Sequence, residues 1–155
     1  MISIENLKGR FKYEPETGKI FDVLGNEKFL VSHSKGYFVG GIDYKVYKAH
    51  RVAWALHYGS WPDGFIDHIN GDRKDNRISN LRLATRGQNR QNSKMNENNT
   101  TGYKCVHLKS SGRFEVQVSA GGVRRYFGTY STAEEAHSVY LREMKKLHGE
   151  YGRSK

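Results

Sequence analysis

The sequence predicts an α+β protein made of two small modules: short antiparallel hairpins leading into a strand–loop–strand–helix unit, then a three-stranded antiparallel sheet packed on one helix. Three observations carry this. Short alternating apolar runs separated by Gly- and Asn-bearing turns fill residues 11–47 and 103–129. Helical spacing is confined to isolated stretches after Ala49 and after Ala133. A polar tract at 93–101, Ser-Lys-Met-Asn-Glu-Asn-Asn-Thr-Thr, has almost nothing to bury and marks a linker between residues 1–92 and 102–155.

Element by element, Phe11 to Tyr13, Ile20 to Val23 before Gly25-Asn26, Phe29 to Val31, Tyr37 to Gly41 and Asp43 to Tyr47 read as strands of small hairpins over residues 1–48. Ala49, Val52, Ala53 and Leu56 then share a helical face, with Gly59 as the residue after the helix and Pro62 just beyond. Over residues 49–92, Ile66, Ile69, Ile78, Leu81 and Leu83 anchor two short strands, and the Asn70-Gly71-Asp72 and Asp75-Asn76 segments between them must loop. Thr85 caps a short helix carrying Arg86 and Asn89. Past the linker, Tyr103 to Leu108, Arg113 to Ser119 and Val123 to Thr129 form three strands joined by turns at Ser111-Gly112 and Gly121-Gly122. Ser131-Thr132-Ala133-Glu134 opens a helix as a capping box; Ala133, Ala136, Tyr140, Met144 and Leu147 line its buried face, and Gly149 stops it.

Composition bounds the function. The 155 residues carry 26 Lys+Arg against 16 Asp+Glu, a net charge of +10. The excess grows along the chain, from +2 over 1–48 to +3 over 49–101 and +5 over 102–155. Clustered excess of this kind favours a polyanionic partner. No run approaches the ~20 apolar residues of a membrane span, and Met1 to Arg10 has no apolar signal core, so a cytoplasmic protein without membrane contact is expected. The single cysteine, Cys105, excludes an internal disulfide and a multi-cysteine zinc site; Cys105 and His107 lack further ligands.

Chemistry concentrates in Phe65-Ile66-Asp67-His68-Ile69-Asn70-Gly71-Asp72, Asp75-Asn76-Arg77, Asn80-Leu81-Arg82 and Arg86-Gly87-Gln88-Asn89. Polar residues sit here inside an apolar frame. Asn80 follows His68 by twelve positions and Asn89 follows it by twenty-one. This register resembles the HNH family of the His-Me finger nucleases, in the phage and intron-type subgroup with a ββα-metal core, from about Ala49-His50-Arg51 to Asn92. The resemblance implies His68 as general base, Asp67 and Asn89 as ligands of one divalent metal, Asn80 as brace of the loop and Arg86 on the scissile phosphate. Asn89 stands where the commonest pattern has a histidine, which favours Mg²⁺ or Mn²⁺, one per active site, over Zn²⁺.

The residue types suit these tasks on their own chemistry. A neutral imidazole, with a reference pKa of ~6.5, is an available base at neutral pH. Oxygen ligands suit a hard cation, and Arg86, one turn before Asn89, offers a fork to phosphate oxygens. Asp72 and Asp75 read as loop residues, His50 and His57 as packing or surface groups, and Trp54 and Trp61 as core.

Residues 102–151 resemble the ethylene-response-factor (APETALA-two) DNA-binding domain through Gly102-Tyr103-Lys104-Cys105-Val106, Gly112-Arg113-Phe114, Tyr126-Phe127-Gly128-Thr129-Tyr130, Ala133-Glu134-Glu135-Ala136 and Leu147-His148-Gly149. Alternation puts Phe114, Val116 and Val118 toward the helix and Arg113, Glu115, Gln117 and Ser119 on the other side. Carried over by position, the resemblance nominates Lys104, His107, Lys109, Arg113, Gln117, Arg124, Arg125 and Tyr126 as DNA contacts. Several of these replace arginine or tryptophan of the plant proteins, so base specificity is not inherited.

The expected function is a metal-dependent DNA endonuclease of the homing type that acts on double-stranded DNA as a monomer or weak dimer. By resemblance it leaves 5′-phosphate and 3′-hydroxyl ends. The alternatives from other classes are a non-catalytic DNA-binding regulator on a nuclease scaffold and an RNA-binding protein.

Overall fold

The computed structural model describes residues 1–92, 95–96, 98–120 and 123–148. The expected stop at Gly149, the Gly121-Gly122 turn and part of the 93–101 tract lie outside them. The fold is mixed α+β, with several small antiparallel sheets and four α-helices among the described residues. It divides into two compact units, Met1–Thr85 and Arg86–Lys155. Compactness thus places the helix after Thr85 with the second unit, whereas composition groups it with the first.

The first unit opens on a helix the sequence reading missed. α1 (Ile4–Arg10) is capped by Ser3, whose side chain accepts from the Asn6 N–H, and it buries Leu7 completely. Seven residues are too few to show a helical period. β1 (Phe11–Glu14), β2 (Lys19–Asp22) and β3 (Glu27–Lys28) form one antiparallel sheet; β4 (Val31–Ser32), β5 (Phe38–Ile42) and β6 (Lys45–Lys48) form a second. Of the expected strand from Phe29 to Val31 only Val31 lies in a strand, β4; Phe29 and Leu30 form the crossing between sheets. Phe29 takes a left-handed backbone (φ 61°) and drops its ring into the core against Phe11, with centroids 5.7 Å apart. Gly40 leaves room for that ring, since a Cβ there would lie 2.6 Å from it. Asp43 and Tyr44, expected in a strand, are the turn between β5 and β6: both have positive φ, as a two-residue primed hairpin turn demands.

α2 (Ala49–Tyr58) follows directly and ends on Gly59 in the left-handed conformation, with its Val52, Ala53 and Ala55 face fully buried. β7 (Phe65–His68) and β8 (Leu81–Ala84) pair antiparallel, with a short 3-10 turn at Ile78–Asn80 before β8. Ile66 and Leu81 are buried as expected, but Ile69 and Leu83 are exposed. Ile69 lies past the last strand pair, where the chain turns out into the loop.

In the second unit α3 (Arg86–Gln91) precedes β9 (Val106–Leu108), β10 (Phe114–Ala120) and β11 (Val123–Tyr130), ordered β11-β10-β9, and α4 (Ala133–His148). β9 starts later than the run from Tyr103 suggested. Asn99 and Thr101 side chains bond the backbone of Tyr103 and Val106, and Cys105 has positive φ, so this stretch is a bonded turn. Val106, Val116, Val118, Ala136, Tyr140 and Met144 make the core between sheet and helix. The sheet register slips between Glu115 and Gln117, where Gly128 (φ 114°) accommodates a bulge. The helix cap is one residue later than expected: Thr132 Oγ1 accepts from the Glu135 N–H, and Glu135 accepts from the Ser131 N–H.

Candidate active site

β7 ends on Asp67 and His68, both buried, and the loop that follows is stitched by its own amides. Asn80 does most of that stitching. Its Oδ1 accepts from the Asn70 N–H (2.9 Å), its amide nitrogen donates to the Asp75 carbonyl (2.8 Å), and its carbonyl accepts from the Ile69 N–H (2.9 Å). Asn70 donates to the Asp75 carboxylate (2.8 Å), which also holds the Arg77 guanidinium (2.6 Å). That guanidinium draws the Asp75 pKa down to about 2. Such local side-chain bonds are the alternative to a ladder that Asn and Asp offer a loop.

The stitched loop presents Asn76, itself buried, to His68: imidazole Nε2 and Asn76 Oδ1 are 3.2 Å apart. The amide oxygen can only accept, so Nε2 carries the proton and Nδ1 holds the lone pair. Burial lowers the His68 pKa below its ordinary value, against the opposing pull of the Asn76 bond and of Asp67, Asp72 and Asp75. His68 is therefore a neutral imidazole at pH 7 with a defined tautomer. The first hairpin buttresses this arrangement. Tyr13 donates its hydroxyl to the Asn76 carbonyl (2.7 Å), the Ile78 N–H donates to Pro15, and Gly18 packs against the 76–77 backbone. Asp67 faces Arg82 across the β7–β8 pair and accepts from both its Nε (2.9 Å) and Nη2 (2.8 Å).

A second ring lies against the imidazole. His50, the second residue of α2, is buried with its Nδ1 unpartnered, and its centroid is 5.1 Å from that of His68. Burial first, then the proximity of His68, Lys48 and Arg51, drives its pKa down to about 2. Sequence reading took His50 for a packing or surface group; no spacing signal connects it to His68. Asn76 and Arg82 stood inside the quoted motifs without a role, because only loop closure and strand register show what they touch. His57 is exposed, and Trp54 and Trp61 pack against the core.

Arg86 and Asn89 lie on α3 in the second unit, three residues apart and so on one face of it; Arg86 is exposed and Asn89 half-buried. Among the described residues, no group of three or more His, Cys, Asp and Glu side chains is placed to share a metal ion.

On the second unit's sheet, His107 pairs with Glu115, Gln117 with Tyr126 and Ser119 with Arg124, which sets these side chains on the face away from the buried Val116 and Val118. Glu115 sits among them, binding the Lys109 ammonium (3.0 Å) and the Gln117 amide. Arg113 donates to the Thr129 carbonyl (3.2 Å) and Lys104 precedes β9 in the turn. Arg125 differs from the other nominated residues: it stands opposite Val118, on the helix side of the sheet.

Residues 47–91 match the HNH endonuclease family model. Over 112 residues the chain is 32% identical to protein 3.8 of Escherichia phage T7, covering 71% of this chain and 92% of that protein. The chain belongs to the HNH endonuclease family. It is therefore a DNA-cleaving enzyme. This nuclease is also 32% identical over 130 residues to an uncharacterized HNH endonuclease, L560, of Acanthamoeba polyphaga mimivirus, covering 83% of the one and 63% of the other. Among solved structures it is similar, at 18% identity and a TM-score of 0.48, to a chain in a structure titled for DNA binding and cleavage by the HNH homing endonuclease I-HmuI, over 95% of this chain and 90% of that one. No helix among the described residues is long and apolar enough to cross a membrane.

Proposed function

We propose that this nuclease hydrolyses phosphodiester bonds of double-stranded DNA with His68 as general base and one divalent cation, Mg²⁺ or Mn²⁺, and that it is an endonuclease of the homing type. The observation that carries the reading is the His68–Asn76 contact: a buried, neutral imidazole whose Nε2 donates to an amide oxygen keeps its basic lone pair on Nδ1, the electronic form a general base requires.

The donor set suits a hard cation. Asp67 supplies a carboxylate beside the base, and Asn89, nominated by sequence register, an amide oxygen; neither offers sulfur, and Asp67 is held in place by Arg82. When bound, the cation supplies charge stabilisation on phosphate oxygens. The remaining tasks belong to the chain. His68 takes the proton of the attacking water, Asn76 and Asn80 hold the imidazole and its loop, and Arg86 neutralises a phosphate oxygen. The exposed sheet face carrying His107, Lys109, Gln117, Arg124 and Tyr126 reads DNA in the manner of an APETALA-two domain, with Lys104 and Arg113 at its margins. The phage T7 relative supports a place of action inside an infected bacterial cell.

The test is nicking of supercoiled plasmid by the full chain with Mg²⁺ or Mn²⁺ and with EDTA. We expect metal-dependent nicking that His68→Ala abolishes while DNA binding persists. Binding without nicking by the wild type under both metals would establish the non-catalytic regulator instead.

A further inference from the structure

The ring of Tyr37, just before β5, touches more charge than any function so far assigned requires. The Lys48 ammonium lies 4.7 Å from its centroid and the Arg73 guanidinium 5.0 Å. The same ring is 6.0 Å from the His68 ring and 5.1 Å from His50. Arg73 also donates to the Lys35 carbonyl (2.7 Å), which ties the 33–37 turn to the catalytic loop. Among the described residues, no ion pair engages Lys35, Lys48 or Arg73.

These cations repel one another. The Lys48 pKa is lowered by burial and then by Lys35, Arg51 and Arg73. The neighbouring carboxylates are committed elsewhere: Asp75 to Arg77 and Asn70, and Asp72 to the Lys74 N–H. Like charges gathered on one aromatic ring without a carboxylate between them store repulsion that a polyanion relieves. The rings of Tyr37 and His68 are neighbours, so a phosphate seated on the cations lies beside the base.

We propose that Lys48 and Arg73, gathered on Tyr37 with Lys35 beside them, form a phosphate clamp that holds the DNA backbone next to the bond His68 attacks. The clamp rests on the reading of His68 as general base for its location, but its contact with DNA does not depend on catalysis. It is a binding element, distinct from Arg86, and is contained within the first unit.

The test uses the full chain carrying His68→Ala, so that a duplex DNA fragment stays intact during titration, and reads affinity against NaCl concentration by fluorescence anisotropy. Adding Lys48→Gln and Arg73→Gln should flatten the slope of log K against log salt by about 1.8, since each lost phosphate contact removes about 0.9. The charge-keeping pair Lys48→Arg and Arg73→Lys should retain the parent slope. With His68 intact, the glutamine pair should raise KM several-fold. If the glutamine pair fails to fold, Arg73→Gln alone should flatten the slope by about 0.9. An unchanged slope in a folded glutamine variant overturns the clamp, as does equal loss in the charge-keeping pair. The slope change in the glutamine variant, together with a wild-type chain that cuts no plasmid, supports the clamp and removes the catalytic reading instead.

Discussion

His50 and His68 meet edge to face, with ring centroids 5.1 Å apart and planes at 87°. The two imidazoles come from different elements, α2 and β7, and both are buried. Two adjacent buried imidazoles cannot both ionise at low cost, so the pair is held neutral by burial and by mutual repulsion.

Acid should therefore weaken the fold through His50. Its folded pKa, about 2, lies below the unfolded value of ~6.5, so the unfolded chain binds the extra proton. Stability is unaffected by this group above pH 6.5 and falls as pH drops toward the folded value. Between pH 7 and 5 the His50 contribution to the loss is about 2 kcal/mol. Urea unfolding at the two pH values checks it, and His50→Leu should lose markedly less than the wild type over the same interval.

Asn76 fixes which nitrogen of His68 carries the proton. Asn76→Ala removes that acceptor without touching the imidazole. Plasmid nicking should slow by at least about tenfold, a part of the roughly 10²–10⁴ that a general base contributes. Equal rates for wild type and variant would deny Asn76 its orienting role.

Arg82 neutralises a carboxylate whose side chain is only 4% exposed. Arg82→Met leaves Asp67 buried without this cation, a change that typically costs about 3–5 kcal/mol. The double variant with Asp67→Asn should recover part of that loss, because the uncompensated charge is gone. Equilibrium unfolding of the wild type, the two single variants and the double variant measures the coupling.

Gly18 has φ +76°, and a Cβ there would lie 2.5 Å from the Arg77 nitrogen and 2.6 Å from the Asn76 carbonyl carbon. Both neighbours are backbone and have to move as a segment. Gly18→Ala should cost about 1–3 kcal/mol in stability and slow nicking by displacing Asn76. Thermal melting and nicking rates together separate this from a purely local strain, which would lower the melting temperature alone.

Much of the fold was legible because short-range signals set it. The helix from Ala49 to Tyr58 announced itself by one apolar face and Gly59, and the sheet of the second unit by the alternation around Val116 and Val118. The segments that resisted are those where a single backbone conformation decides: Phe29, Asp43, Tyr44 and Cys105 take positive φ without being glycine, and of the four only Asp43 has a propensity for it.

The candidate site divides the same way. Asp67-His68 and Asn80 were nominated from the chain alone, by a family register, because motif spacing is a property of the chain. Their surroundings come from long-range contacts. Asn76 reaches His68 through loop closure, Arg82 reaches Asp67 through strand register, and His50, Tyr37, Lys48 and Arg73 gather by packing of α2 and the second sheet. Contacts between residues distant in the chain carry no periodic signature, so their identity exists only once the chain is folded.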